Sequence, residues 1–231
     1  MSNFINHSYS FQKLLHYFKA GNEHDVHSPF VFDLLTKIIY PTIEIPSFEN
    51  NETTLPTLIK QNDIGVILYK LIKYFQPSTM MDIGGTETFN ARYLAAGNPQ
   101  GEVYVLKIKA EKENKEQNIF QQQSNKNIQV IEGNIIETLP SLLLNQKKLD
   151  FIFIDGLENH QTLIEVFMLL KNHIHEDSII IIDYIHHSST RLQEWNEIIA
   201  YPSVSVSTDF FTFGILFFKK GIKKQHFFLR S

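Results

Sequence analysis

The chain has no cysteine among its 231 residues, which excludes disulfides, thiolate nucleophiles and cysteine-held zinc. It has no apolar run approaching the roughly 20 residues needed to span a bilayer. It has no excess of positive charge either. Lys and Arg number 21 against 25 Asp and Glu, for a formal net charge of -4, so no global field favours nucleic acid. The one basic run, Lys219-Lys220-Gly221-Ile222-Lys223-Lys224, reads as a solvated turn. The dinucleotide pattern GxGxxG is absent, and none of the ten histidines belongs to an HExxH zinc motif. The N-terminus, Met1-Ser2-Asn3-Phe4-Ile5-Asn6-His7, lacks the basic and apolar regions of a signal peptide, so a cytoplasmic address is expected.

What is present is an ordinary globular composition, 43% apolar and 20% charged, laid out as alternating strands and helices. Phe11, Leu14, Leu15 and Phe18 recur at helical spacing over 8–20, before Gly21-Asn22. Ser28 and Pro29 suit the N-cap and first position of a second helix ending before Pro41. Residues 41–62 hold Pro41, Pro46 and Pro56 and read as a connection or lid. From Ile64 onward the pattern predicts helix 64–75, strand 80–83, helix 89–97, strand 102–107, a polar helix near 111–124 and strand 128–131. Helix 135–145, strand 150–154, helix 161–172, strand 178–183 and helix 188–199 follow. Two final strands, 203–208 and 214–219, form a hairpin. Short connections between strand and helix imply a parallel sheet covered on both faces.

Three strands end in an acidic residue: Met80-Met81-Asp82-Ile83-Gly84-Gly85-Thr86, Phe151-Ile152-Phe153-Ile154-Asp155-Gly156 and Ile179-Ile180-Ile181-Ile182-Asp183-Tyr184. In open α/β sheets ligands bind at the carboxyl ends of strands, and a glycine turn there lets backbone approach a nucleotide-like ligand. These passages, with His24–Phe32 and the tail Gly214–Lys219, resemble the class I S-adenosylmethionine (SAM) methyltransferases, in the small-molecule O-methyltransferase branch and an uncharacterised bacterial subgroup of it. The resemblance covers roughly 64–231. It implies a Rossmann-like sheet, mostly parallel with a C-terminal antiparallel hairpin, helices on both faces and an N-terminal helical appendage. The division it suggests is 1–62 as lid or appendage and 63–231 as the α/β domain.

By the same resemblance, Asp82, Gly84, Gly85, Thr86, Asn134 and Asp155 hold SAM, and Asp183 and His186 stand at the methyl-transfer end, His186 as general base. Three positions depart from the family pattern. Thr88 replaces a glycine, Lys107 replaces the acid that accepts the ribose hydroxyls, and Tyr184 replaces a metal-ligating neighbour of Asp183. Lysine has donors and no acceptor lone pair, and two carboxylates plus water make a weak divalent-metal site, so no metal is expected. Glu111 and Glu113 are the nearest sequence substitutes for the ribose acid. Asp155 and Asp183 have a plainer alternative as caps of the helices that follow them.

The expectation is a SAM-dependent methyltransferase acting on a small-molecule oxygen or nitrogen nucleophile, without nucleic-acid or membrane partners, with the N-terminal residues available for a homodimer contact. The alternative is a catalytically degenerate protein of the same fold serving as a binding module.

Overall fold

The computed structural model describes residues 2–45, 63–85, 89–108, 127–145, 148–155, 157 and 162–230. Eight strands form one sheet: β1 Thr79–Gly84, β2 Glu102–Lys107, β3 Ile128–Glu132, β4 Phe151–Ile154, β5 Ile179–Asp183, β6 Val206–Asp209, β7 Phe213–Phe217 and β8 Gln225–Phe228. Their order is β3-β2-β1-β4-β5-β7-β6-β8. Pairs β1–β2, β1–β4, β2–β3, β4–β5 and β6–β8 are parallel, whereas β7 is antiparallel to both β5 and β6. One strand, β7, is therefore reversed in an otherwise parallel sheet. The predicted hairpin is β6–β7. The tail strand β8 was not legible, because Gln-His-Phe-Phe is too short and too polar at its start to announce a strand.

The central strands are near-continuous apolar runs because both faces are covered. All four residues of β4 are buried, as are the four isoleucines of β5. One face carries Met80, Phe151, Phe153, Ile179 and Ile181 under α3 (Ile64–Phe75) and α4 (Phe89–Gly97). The other carries Met81, Ile83, Ile152, Ile154, Ile180 and Ile182 under α5 (Ile135–Asn145), α6 (Leu163–Leu170) and α7 (Ser189–Ala200). The result is a three-layer α/β/α arrangement.

Before α3 come α1 (Ser2–Lys19) and α2 (Pro29–Asp33), the latter continuing as a π-helical stretch over Leu34–Ile39. The wider turn is visible in the Tyr40 N–H, which donates to the Leu35 carbonyl at 2.9 Å. Pro29 takes the first helical position, but the Ser28 hydroxyl makes no capping bond. Val31, Leu34, Leu35, Ile38 and Ile39 enter the same core as the sheet, and the buried Lys70 donates to the Ile39 carbonyl at 2.7 Å.

Helix α1 is turned opposite to the simplest reading of its pattern. Phe11, Leu14, Leu15 and Phe18 are exposed, Phe18 to 76%, while His16 and Ala20 are buried. Its inward anchor is polar: the His16 ring contacts the Asp209 carboxylate at 3.0 Å. An interior polar contact, invisible to hydrophobic periodicity, sets the helix face. The predicted polar helix near 111–124 and most of the 41–62 connection lie outside the described residues.

Candidate active site

Strand alternation gives Asp82, Asp155 and Asp183 the face of Met80, Phe153 and Ile181. Asp82 pairs in register with Phe153, Phe153 with Ile181, and the Asp155 N–H donates to the Ile83 carbonyl at 2.9 Å. Three adjacent strands thus deliver three carboxyls to one edge. The β1 strand ends at Gly84 with φ 116, a conformation that side-chain-bearing residues avoid, and Gly85 follows. Thr86 and Thr88 lie outside the described residues.

Two of the carboxyls, Asp82 and Asp183, have raised pKa values. Asp82 is 4% exposed; burial, and next the charge of Asp155, push its pKa up to about 8. Among the described residues none donates a hydrogen bond to it. Asp183 rises to about 7, first through burial and then through Asp155, against a lowering by the Tyr184 N–H, which donates to it at 2.9 Å. Asp155 accepts from the Asn90 side-chain amide at 3.4 Å.

These acids are not helix caps. Helix α6 is capped by Thr162, whose hydroxyl accepts from the Glu165 N–H at 3.2 Å, and α7 by Ser188, whose hydroxyl accepts from the Arg191 N–H at 3.0 Å. The plainer role open to Asp155 and Asp183 is thereby taken by other residues.

Beside them opens a cavity of about 410 Å³ lined by Ile154, Asp155, Leu157, Asp183, Tyr184, His187 and Arg191. Tyr184 sits at φ 54, left-handed backbone that a bulky side chain rarely adopts and that concentrates at functional sites. The kink turns the chain sharply at the end of β5. Its ring stands edge-on to His187, with centroids 6.1 Å apart. Arg191, in the first turn of α7, donates to the Leu157 carbonyl at 3.1 Å. Burial pulls its pKa down, opposed by Glu194. Among the described residues no group of three His, Cys, Asp or Glu is placed to hold a metal ion.

The expected base, His186, does not line this cavity. It is buried, its Nε2 lies 2.8 Å from Asp209, and its ring stacks on Phe211 at 4.7 Å. Its neighbour His187 faces the cavity instead, because the kink at Tyr184 sends successive side chains to opposite sides. Asp209 is held well below the usual carboxylate range despite its burial, by hydrogen bonds from His16 and His186, the charge of His186 and the Phe211 N–H.

Asn134 also serves elsewhere. Its side-chain oxygen caps α5, accepting from the N–H groups of Ile136 at 3.0 Å and Glu137 at 3.3 Å, so the acceptor expected for adenine is occupied. Lys107, where the resemblance leads one to expect an acid, pairs with Glu132 at 2.6 Å. Sequence reasoning missed Arg191 and Glu132. Arg191 stands three residues after a good N-cap, a spacing that directs it back toward the sheet edge, and Glu132 ends β3 beside a lysine that ends β2.

Residues 82–185 match the family model of a methyltransferase domain. The fold matches solved structures at low identity. A methyltransferase from Podospora anserina, bound to S-adenosylhomocysteine, is 14% identical, with a TM-score of 0.56 over 68% of this chain and 78% of its own. An O-methyltransferase from Bacillus cereus, solved with S-adenosylhomocysteine, is 22% identical (TM-score 0.52, 66% and 79% covered). The O-methyltransferase TomG from Streptomyces achromogenes, solved with SAM, is 17% identical (TM-score 0.55, 71% and 83% covered). No curated protein matches the sequence. The fold is shared with these methyltransferases, and the family match covers residues 82–185, a little under half of the chain.

Proposed function

We propose that the protein transfers a methyl group from SAM to an oxygen or nitrogen of a small molecule. One observation carries the reading: three carboxyls near the carboxyl edge of the sheet, two with pKa values raised to about 8 and about 7, meet beside a glycine turn and a cavity of about 410 Å³. The buried Asp82, with Asp183 beside it raised in the same direction, suits a cationic ligand. The donor set fits SAM, which carries an ammonium and a sulfonium, and Gly84 leaves no side chain between backbone and ligand.

Asp82, Gly84, Gly85, Thr86 and Asp155 would hold the cofactor. When bound, SAM supplies an electrophilic methyl group. The protein's part is mainly positioning, which can contribute several orders of magnitude to rate. Tyr184 and Leu157 exclude water from the acceptor, and Arg191 and Asp183 orient it. His187 takes the acceptor's proton, since histidine is the side chain suited to that exchange near neutral pH. That role, read from sequence onto His186, moves one residue along. In this reading residues 1–62 serve as a lid or homodimer contact, residues 63–231 form the catalytic domain, and the protein works in the cytoplasm. No helix among the described residues is long and apolar enough to cross a membrane.

Calorimetric titration with SAM and with S-adenosylhomocysteine tests this. Micromolar binding that disappears in Gly85→Val supports it. Folded protein that shows no heat at millimolar cofactor overturns it.

A further inference from the structure

The ends of β1, β2 and β3 form one row. Gly84 is in register with Lys107, and Lys107 with Glu132. Adjacent strands lie about 4.8 Å apart, so the Glu132 backbone is roughly 10 Å from the glycine turn. A nucleoside lying over such a turn brings its ribose to the end of the neighbouring strand, where an acid accepts from the sugar hydroxyls. Here that strand ends in a lysine, which cannot accept.

We infer that the acceptor has moved one strand outward: Glu132, held over β2 by Lys107, receives the ribose hydroxyls of the cofactor. The inference rests on the SAM reading above.

The geometry supports it in three ways. The Lys107 ammonium and the Glu132 carboxylate are 2.6 Å apart, which draws the carboxylate from β3 toward β2. Both side chains are partly shielded, 23% and 29% exposed, so the pair is oriented and still open to a ligand. A carboxylate offers about four lone-pair sites. One oxygen, Oε1, engages Lys107, and the remaining sites can accept from hydroxyls. Lys107 is then a positioning residue, and the two positions form a charge-swapped version of an acid on β2.

A partly exposed ion pair near the surface with no ligand role contributes little to stability, about 0–1 kcal/mol. Binding therefore separates the two possibilities better than stability does. Calorimetry with S-adenosylhomocysteine, and with its analogue lacking the 2′-hydroxyl, is run on wild type, Glu132→Gln and the double variant Lys107→Glu/Glu132→Lys. In wild type the analogue should bind about tenfold or more weakly, the scale of a hydrogen bond to a charged group. Glu132→Gln should weaken S-adenosylhomocysteine by a similar factor and reduce the discrimination against the analogue. The double variant, which keeps the pair and returns the acid to β2, should regain both. If Glu132→Gln binds and discriminates as wild type does, the inference is overturned while the SAM reading stands. If wild type binds no S-adenosylhomocysteine, both fall together.

Discussion

Asp82 and Asp209 are both strand carboxyls buried to 4% and 1% exposure, yet the protein treats them oppositely. Asp209 receives His16 and His186 through their Nε2 atoms at 3.0 and 2.8 Å, and the Phe211 N–H at 2.8 Å. Its charge is answered from three segments of the chain, and its pKa is held down. Asp82 has the carboxyl of Asp155 for a neighbour, and its pKa is pushed up to about 8. A buried acid whose partners come from the fold is a structural device. A buried acid without such partners keeps its proton, and a cationic ligand would compete for that place. The contrast also separates the two histidines after β5: His186 belongs to the structural cluster and His187 to the cavity.

The largest effect should come from breaking the satisfied site. Asp209→Asn leaves two buried imidazoles without their carboxylate and frees α1 from its anchor. A loss of about 3–5 kcal/mol, the scale for removing one partner of a buried pair, is expected from urea unfolding at pH 7. Because Asp209 has a depressed pKa in the fold, its contribution is fully present above the unfolded value of 3.8 and is lost progressively as pH falls from there through the lower folded value. The gap between variant and wild type should close in acid.

A smaller effect of opposite sign is expected at the unsatisfied site. A raised carboxyl is most favourable when protonated. As pH climbs from 3.8 toward about 8, the unfolded chain releases a proton that the fold retains, and stability falls. Asp82→Asn should remove that slope. Unfolding curves should nearly coincide with wild type at pH 3, below the unfolded value, and by pH 9 the variant should be the more stable by a few kcal/mol. A variant less stable than wild type at pH 9 would show that Asp82 has a partner in the fold after all.

Much of the fold was legible because it rests on local signals. The runs Phe151–Ile154 and Ile179–Ile182 are apolar on both faces, and the glycine turn at Gly84 bears out the demand for a conformation other residues avoid. Hydrophobic spacing could not show which way α1 faces, since a buried His16 contacting an aspartate 193 residues away decides it. The site was legible by position and less so by side chain. Asp82, Asp155 and Asp183 lie on one edge as expected from their strand ends. Alternation alone could not tell His186 from His187, because the left-handed backbone at Tyr184 resets which side each faces. Nor could it pair Lys107 with Glu132, since their contact depends on the register of two strands more than 20 residues apart in sequence.

The central claim is that the Asp82–Asp155–Asp183 edge is completed by a cation. Calorimetric titration of SAM at pH 7.5, in two buffers of different ionisation enthalpy, tests it directly through protons. A cation settling against carboxyls with pKa values near about 8 and about 7 must drive protons off them. The observed heat should therefore differ between buffers by an amount corresponding to net proton release, and that release should fall in Asp82→Asn. SAM binding with the same heat in both buffers would mean that these carboxyls do not meet the cofactor's charge, and the claim would be wrong.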